Sequence, residues 1–231
     1  MFMTFDTETA DLTGNVYDFG CCIHNRKGEV VAEYNSLVRE VFTDPDCMMG
    51  AFYAKKLFTH YVPMIERREI MLRPWHHIVE DVQDLIKTYN VKTLAAYNLG
   101  FDMRVLRQTG GRFGMRLLPH SDFKLLDIWQ FACEARLSKK TYKKIAREQG
   151  WVSKAGNIRT GAEYAYRFCS GDLGFIEDHT ALSDARIEVD ILANCFRQKS
   201  KVPYGVYNQS PWRLVNSDSR SSKAQPGRKI A

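Results

Sequence analysis

Short apolar runs rich in β-branched and aromatic residues occupy much of the first half of the chain and predict β-strands. We expect strands at residues 1–5, 16–23, 29–41, 91–97 and 123–128. A polar turn at residues 25–28 separates the second run from the third, which predicts an antiparallel hairpin. Three strands at the start of the chain indicate a mixed sheet.

Apolar residues recur at helical spacing in the segments between the later strands and near the C-terminus. The predicted helices cover residues 74–89, 101–108, 129–136, 141–149, 162–168 and 182–196. Gly110 and Gly111 are expected to end the second of these helices. The order of strands and helices predicts an α/β fold, in which a mixed β-sheet is flanked by helices.

The composition changes after Lys199, where Ser, Pro, Gly, Asn and basic residues dominate. We therefore divide the chain into a folded domain, residues 1–198, and a basic, flexible C-terminal tail, residues 199–231. The net charge of +6 is concentrated near the C-terminus, since residues 197–231 hold eight Lys and Arg and one Asp. Such a segment suits contact with a polyanion, and a merely solubilising tail is an equal alternative.

Composition narrows the class of protein. The 231 residues are 45% hydrophobic and 26% charged, which suits one globular domain and excludes global disorder. No apolar run approaches the ~20 residues that span a bilayer, and the N-terminus lacks the basic start of a secretory signal. None of the six cysteines forms a CxxC pair, so we expect reduced thiols, no structural zinc and a cytoplasmic location.

Acidic residues follow the predicted buried strands. Asp6 and Glu8 are two positions apart on an extended segment and therefore point to the same side. Two carboxylates so close repel each other unless a cation lies between them, and oxygen ligands suit Mg²⁺ or Mn²⁺. Asp102 follows the fourth strand at a helix start, where an acid also stabilises the helix dipole. His179 lies in a predicted loop, and Asp184 lies in the last predicted helix among small and apolar residues.

Three segments together resemble the three motifs of the DEDDh 3′→5′ exonucleases, a ribonuclease H-like family that includes the proofreading subunits of bacterial replicative polymerases and phage-type exonucleases. The segments are Phe5-Asp-Thr-Glu8, Tyr97-Asn-Leu-Gly-Phe-Asp102 and His179-xxxx-Asp184. All five signature residues occur in order, and the resemblance covers residues 1 to about 197. It implies a ribonuclease H-like fold and two-metal hydrolysis of nucleic acid from its 3′ end.

The resemblance also implies a role for each residue. Asp6, Glu8 and Asp184 would hold one Mg²⁺ or Mn²⁺ ion, Asp6 would bridge to a second, and Asp102 would ligate that second ion directly or through water. His179 would act as general base on the attacking water, and the product would be a nucleoside 5′-monophosphate. Residues carried over as substrate contacts are Thr7, Thr9, Asn98 and Phe101.

Residues 138–159 are rich in Lys and Arg and contain Tyr142 and Trp151. Basic and aromatic residues interleaved in this way suit a single strand, with a solvated helix face as the alternative. We therefore expect a DNA exonuclease acting on single-stranded or frayed 3′ ends, with a polymerase or replication protein as a possible partner and no membrane. The alternatives are a 3′→5′ exoribonuclease of the same mechanism and a catalytically weak nucleic-acid-binding module of the same fold.

Overall fold

The computed structural model describes residues 1–11, 14–51, 54–118 and 123–217. Within them, the strands are β1 (Phe2–Thr9), β2 (Val16–His24), β3 (Val30–Val38), β4 (Met71–Arg73), β5 (Thr93–Ala96) and β6 (Lys124–Asp127). The short helices before β5 are α1 (Arg39–Phe42), α2 (Pro45–Met49) and α3 (Val62–Glu66), with a π-helical turn at Leu57–Tyr61. The remaining helices are α4 (Trp75–Thr88), α5 (Leu99–Phe113), α6 (Ile128–Ala132), α7 (Lys140–Glu148), α8 (Ala162–Ser170), α9 (Ala181–Gln198) and α10 (Arg213–Asn216), and a second π-helical turn spans Cys133–Leu137.

The strands form one mixed sheet in the order β4-β3-β2-β1-β5-β6. Strand β2 is antiparallel to both β1 and β3, so the predicted hairpin is confirmed. Strands β5 and β6 are parallel to β1, and β4 is parallel to β3. The predicted fold class, an α/β fold in which a mixed β-sheet is flanked by helices, is confirmed by this architecture.

Alternate residues of β2 face opposite sides of the sheet, as the period of a strand requires. Phe19, Cys21 and Ile23 belong to a core cluster that also contains residues of α4 and α5. Cys22 faces the other way and packs against Ala185 and Val189 of α9. Helices therefore cover both faces of the sheet.

Gly20 allows α9 to approach the sheet closely. A β-carbon on Gly20 would lie 2.2 Å from the backbone nitrogen of Leu182, a distance that real side chains do not reach. Because Gly20 pairs with Asp6 across β1 and β2, this contact brings the first turn of α9 over the end of β1. The absence of a side chain at Gly20 thus brings the end of β1 and the start of α9 side by side.

The predicted end of α5 at Gly110 and Gly111 is wrong, because the helix continues through both to Phe113 and ends at Gly114, whose φ is +75°. A β-carbon on Gly110 would lie 2.8 Å from the carbonyl oxygen of Met115. Gly110 therefore permits a close return of the chain and does not break the helix. Strand β4, which adds an edge to the sheet, was not predicted.

The described part of the C-terminal segment packs against the domain. Val215 is 1% exposed, and the side chain of Asn216 accepts a hydrogen bond from the Ile158 N–H (2.7 Å) and donates one to the Ile158 carbonyl (3.2 Å). The Gly205 N–H donates to the Leu125 carbonyl at 2.8 Å. The domain boundary at residue 198 stays a prediction, and residues 218–231 of the predicted tail lie outside the described residues.

Candidate metal and nuclease site

The end of β1 carries the first two acids. Asp6 pairs with Gly20 and Glu8 with Asp18 on β2, so both carboxylates face the side of the sheet that α9 covers. Glu8 is 8% exposed and Asp6 is half-buried. The sequence-based expectation that alternation aims both carboxylates to one side agrees with this register.

Asp102 reaches the same region from α5. It lies in the first turn of the helix, is 2% exposed and accepts a hydrogen bond from the Thr7 hydroxyl at 2.8 Å. Asn98, with φ of +67°, turns the chain from β5 into α5, and its carbonyl accepts from the Phe101 N–H at 2.8 Å. The strand end and the helix start together hold the Asp102 carboxylate in place.

The four residues carried over as substrate contacts have identifiable surroundings. The hydroxyl of Thr7 is directed at Asp102, and Phe101 packs partly buried against the core with the Arg104 guanidinium 5.1 Å from its ring centre. Thr9 is half-buried at an irregularity of the β1–β2 pairing, and Asn98 is exposed. Their contacts with a nucleotide stay predictions.

His179 and Asp184 arrive on α9 and the loop before it. One ligand atom from each of Glu8, His179 and Asp184 lies within 4.8 Å of the others, and these three form a possible metal-binding group among the described residues. The His179 Nδ1 is 4.0 Å from Oδ2 of Asp184 and 3.6 Å from Oε2 of Glu177. The motifs that are most distant in sequence therefore meet in space.

A fifth carboxylate, Glu188, belongs to the cluster and was missed by the sequence reasoning. It lies one helical turn beyond Asp184, is 2% exposed, and its Oε2 accepts a hydrogen bond from the Tyr97 backbone N–H at 3.1 Å. The sequence does contain a signal for Glu188, because it is a glutamate on the apolar face of α9. A charged residue on a buried face needs a partner. We call Asp6, Glu8, Asp102, Asp184 and Glu188 the acidic cluster.

A lysine also reaches this region. The Lys56 ammonium donates hydrogen bonds to the carbonyls of Asp178 (2.7 Å) and His179 (2.8 Å). Its positive charge also acts on Glu8 and Asp184. His179 has a φ of +54°, a backbone conformation that is uncommon for a residue with a side chain. Lys56 thus helps to hold the His179 loop, and no motif in the sequence pointed to it.

Asp18 supports the N-terminus of α9. Its Oδ2 accepts hydrogen bonds from the Tyr61 hydroxyl (2.9 Å) and from the Ala181 N–H (3.0 Å), which is the first N–H of the helix. A buried carboxylate at this point satisfies an N–H that the helix leaves unpaired and complements the helix dipole. Asp18 is therefore a structural acid next to the acidic cluster.

Burial controls the electrostatics of the cluster. Desolvation raises the pKa of Glu8 to about 8, of Asp102 to about 7 and of Asp184 to about 9. The pKa values of Asp6 and Glu188 also lie well above their ordinary range, first through burial and then through the charges of neighbouring acids. Acids held so close together stay protonated near neutral pH or require a cation.

The donor set fits a hard divalent ion. Oδ1 of Asp184 is buried and accepts no hydrogen bond from the described residues, so it is available as a ligand. Carboxylate oxygens are the ligands that Mg²⁺ and Mn²⁺ prefer. Burial, together with the charge of Lys56, lowers the pKa of His179 below its ordinary value, which favours the neutral imidazole that a general base requires.

The interpretation of Tyr142 and Trp151 as stacking residues is wrong. Tyr142 is fully buried and Trp151 is 5% exposed, and both belong to a core cluster behind β6. Their rings fill space between α7 and α8, while the neighbouring lysines face solvent. Exposed basic residues of this region are Lys139, Lys140, Lys144, Arg147, Lys154 and Arg159.

The chain is similar in structure to known proteins. No protein-family model matches the chain, and no curated protein matches it. The solved structure of Exonuclease X in complex with 5′ overhanging duplex DNA is similar over 87% of this chain and 95% of that chain, with 17% sequence identity and a TM-score of 0.47. Among the described residues, no helix combines the length and apolar character that a membrane span needs.

Proposed function

We propose that this chain is a metal-dependent 3′→5′ exonuclease that releases nucleoside 5′-monophosphates from single-stranded or frayed DNA ends. The observation that carries the proposal is the convergence of Glu8, His179 and Asp184 within 4.8 Å, beside Asp6 and Asp102. A carboxylate cluster next to an imidazole combines metal ligands with a general base, as metal-assisted hydrolysis requires. The three motifs of the DEDDh exonucleases supply the polarity and the product.

Two Mg²⁺ or Mn²⁺ ions are the proposed cofactors. Asp6, Glu8 and Asp184 are the proposed ligands of the first ion, and Asp6 and Asp102 those of the second. Bound ions of this kind stabilise the negative charge that develops on the attacking and leaving oxygens of a phosphodiester. The Thr7 hydroxyl orients Asp102 through its hydrogen bond to Oδ1.

His179 is the proposed general base. Its Nδ1 faces the carboxylates of Glu177 and Asp184, which orient the ring. We assign to Nε2 the transfer of a proton from the attacking water, since an imidazole whose pKa is lowered is neutral at working pH. Lys56 holds the backbone on which this ring is carried.

Labelled oligonucleotides test the proposal. DNA and RNA strands labelled at either end are incubated with Mg²⁺, Mn²⁺ or EDTA, and the products are separated by size. We expect mononucleotides to leave the 3′ end only when a divalent ion is present, and faster from DNA than from RNA. Faster cleavage of RNA would favour the exoribonuclease alternative, and removal from the 5′ end would contradict the polarity.

Matched variants separate the site from the fold. Asp184→Asn and His179→Ala are each expected to reduce the rate by at least about 100-fold, in keeping with the loss of a general base or of a metal ligand. Asp190→Asn, at an exposed position on the same helix, should retain full activity. Wild-type protein that binds a strand but cleaves neither DNA nor RNA would support the nucleic-acid-binding alternative.

A cytoplasmic location and a polymerase or replication partner are part of the proposal. All six cysteines lie within the described residues and carry free thiols, which suits a reducing compartment. Copurification with a polymerase, lost on deletion of residues 218–231, would support a partner bound through the basic segment.

A further inference from the structure

A groove opens at the same edge of the sheet as the acidic cluster. Strands β1, β5 and β6 are parallel, so their carboxyl ends lie at one edge. The acidic cluster lies at the ends of β1 and β5, and the groove lies beyond the end of β6. It has a volume of about 350 Å³ and is lined by Trp129, Ser153, Asn157, Arg159, Tyr164 and Trp212. We call it the aromatic groove.

Hydrogen bonds hold the rings of this groove in position. The Trp129 Nε1 donates to the Thr160 hydroxyl at 2.9 Å, and the Tyr97 hydroxyl donates to the Thr160 carbonyl. The rings of Tyr97 and Trp129 stack with an interplanar angle of 22°. Because the Tyr97 N–H also donates to Glu188, one residue connects the groove to the acidic cluster.

The C-terminal segment supplies one wall. Trp212 precedes α10 and is half-buried, while Val215 and Asn216 fasten this helix to the domain. The Arg213 guanidinium lies 5.6 Å from the Trp212 ring centre. One wall of the groove therefore depends on the packing of residues beyond 198 onto the domain.

The surroundings are complementary to a polyanion. Arg159 is exposed, with its guanidinium 5.6 Å from the ring centre of Tyr164, and exposed lysines of α7 lie in the same part of the chain. Half-buried rings beside exposed guanidinium groups are the combination that binds single strands, with bases stacked on rings and phosphates near cations.

We propose that the aromatic groove is a second nucleotide-binding site, which stacks a base of the single strand upstream of the 3′-terminal nucleotide. The proposal rests on the proposed exonuclease function for the direction of the strand. The distance from β1 to β6 across the sheet is two strand spacings, or about 10 Å. At ~3.4 Å per stacked nucleotide, the groove receives a base roughly three nucleotides from the cleaved end.

Binding as a function of strand length tests this site. Oligodeoxythymidylates of two to eight nucleotides, labelled at the 5′ end, are titrated with protein in Ca²⁺ and followed by fluorescence anisotropy. Trp212→Ala should weaken binding of the six- and eight-nucleotide strands about tenfold and leave the dinucleotide unchanged. Trp212→Phe should restore most of the affinity, because a ring is retained. Oligouridylates in parallel show whether the groove distinguishes RNA.

Controls separate this proposal from folding defects and from the proposed function. Tyr89→Ala removes a partly buried ring just before β5, at the opposite edge of the sheet, and should not alter binding. Thermal unfolding of Trp212→Ala checks that the domain is intact. Unchanged affinity for long strands, or an equal loss for the dinucleotide, would overturn the proposal. A length-dependent loss in a protein that cleaves nothing would support the groove and reject only the exonuclease.

Discussion

Replacing Asp184 by Asn should stabilise the metal-free protein while abolishing its activity. The carboxyl of Asp184 is buried beside Glu8 and Glu177, and its pKa is raised from 3.8 to about 9. Between these values the folded state keeps a proton that the unfolded state has lost, so stability falls as the pH rises. The native protein thus accepts a destabilising buried acid where the proposed metal site requires one.

The magnitude follows from the linkage between protonation and folding. One carboxyl of this kind removes up to ~1.4 kcal/mol per pH unit, or ~4 kcal/mol between pH 5 and pH 8. Glu8 and Glu177 share the same repulsion and remain in the variant, so we expect Asp184→Asn to gain about 2 kcal/mol at pH 8. For a domain of this size, that gain raises Tm by roughly 4–8 °C.

The assay is thermal and urea unfolding in EDTA at pH 5, 6.5 and 8. Asp84→Asn, at an exposed position on α4, is the control and should show no pH-dependent gain. With Mn²⁺ at 100 times its Kd, wild type should gain ~2.7 kcal/mol, and Asp184→Asn should gain much less. A variant that is less stable than wild type in EDTA at pH 8, or that keeps the wild-type pH slope, would refute the reasoning.

Three further changes give separate expectations. Gly20→Ala should lower the free energy of unfolding in urea by about 1–3 kcal/mol and reduce nuclease activity, because its β-carbon would displace the first turn of α9. Gly111→Ala is the control and should change neither quantity, because a β-carbon there meets nothing within 4 Å. Lys56→Met should lower kcat about tenfold with KM little changed, because the His179 loop loses two charge-assisted hydrogen bonds. Lys55→Met, at an exposed neighbouring position, should match wild type. A change in KM without a change in kcat would contradict this expectation. Burial lowers the pKa of His24 to about 4, so its neutral form is lost only below that pH while the unfolded state binds a proton from about 6.5 downwards. Stability should therefore fall by about 3 kcal/mol from pH 6.5 to pH 4, and His24→Gln should remove this part of the pH dependence in urea unfolding.

Local patterns in the sequence determined the elements that carry the site. Alternation along β1 places Asp6 and Glu8 on one side, and a polar turn between two β-rich runs predicts the β2–β3 hairpin. Three motifs in order predicted which residues converge. The strand and hairpin predictions succeed because strand periods and turns depend on neighbours a few positions apart, which a single sequence displays directly.

Only the tertiary structure decided how the elements approach one another. Glu188, Lys56 and Asp18 meet the site through contacts between residues far apart in sequence, and no periodicity records such contacts. Tyr142 and Trp151 were predicted to stack on bases but are buried in the core. An aromatic ring beside lysines in the sequence can lie at the surface or in the core, and only the burial in the folded protein distinguishes the two. The close packing of α9 on Gly20 and the folding of residues 202–217 onto the domain likewise depend on which surfaces meet. The sequence by itself therefore determined which side chains are available for the proposed chemistry, and the packing of the helices on the sheet decided where those side chains are brought together.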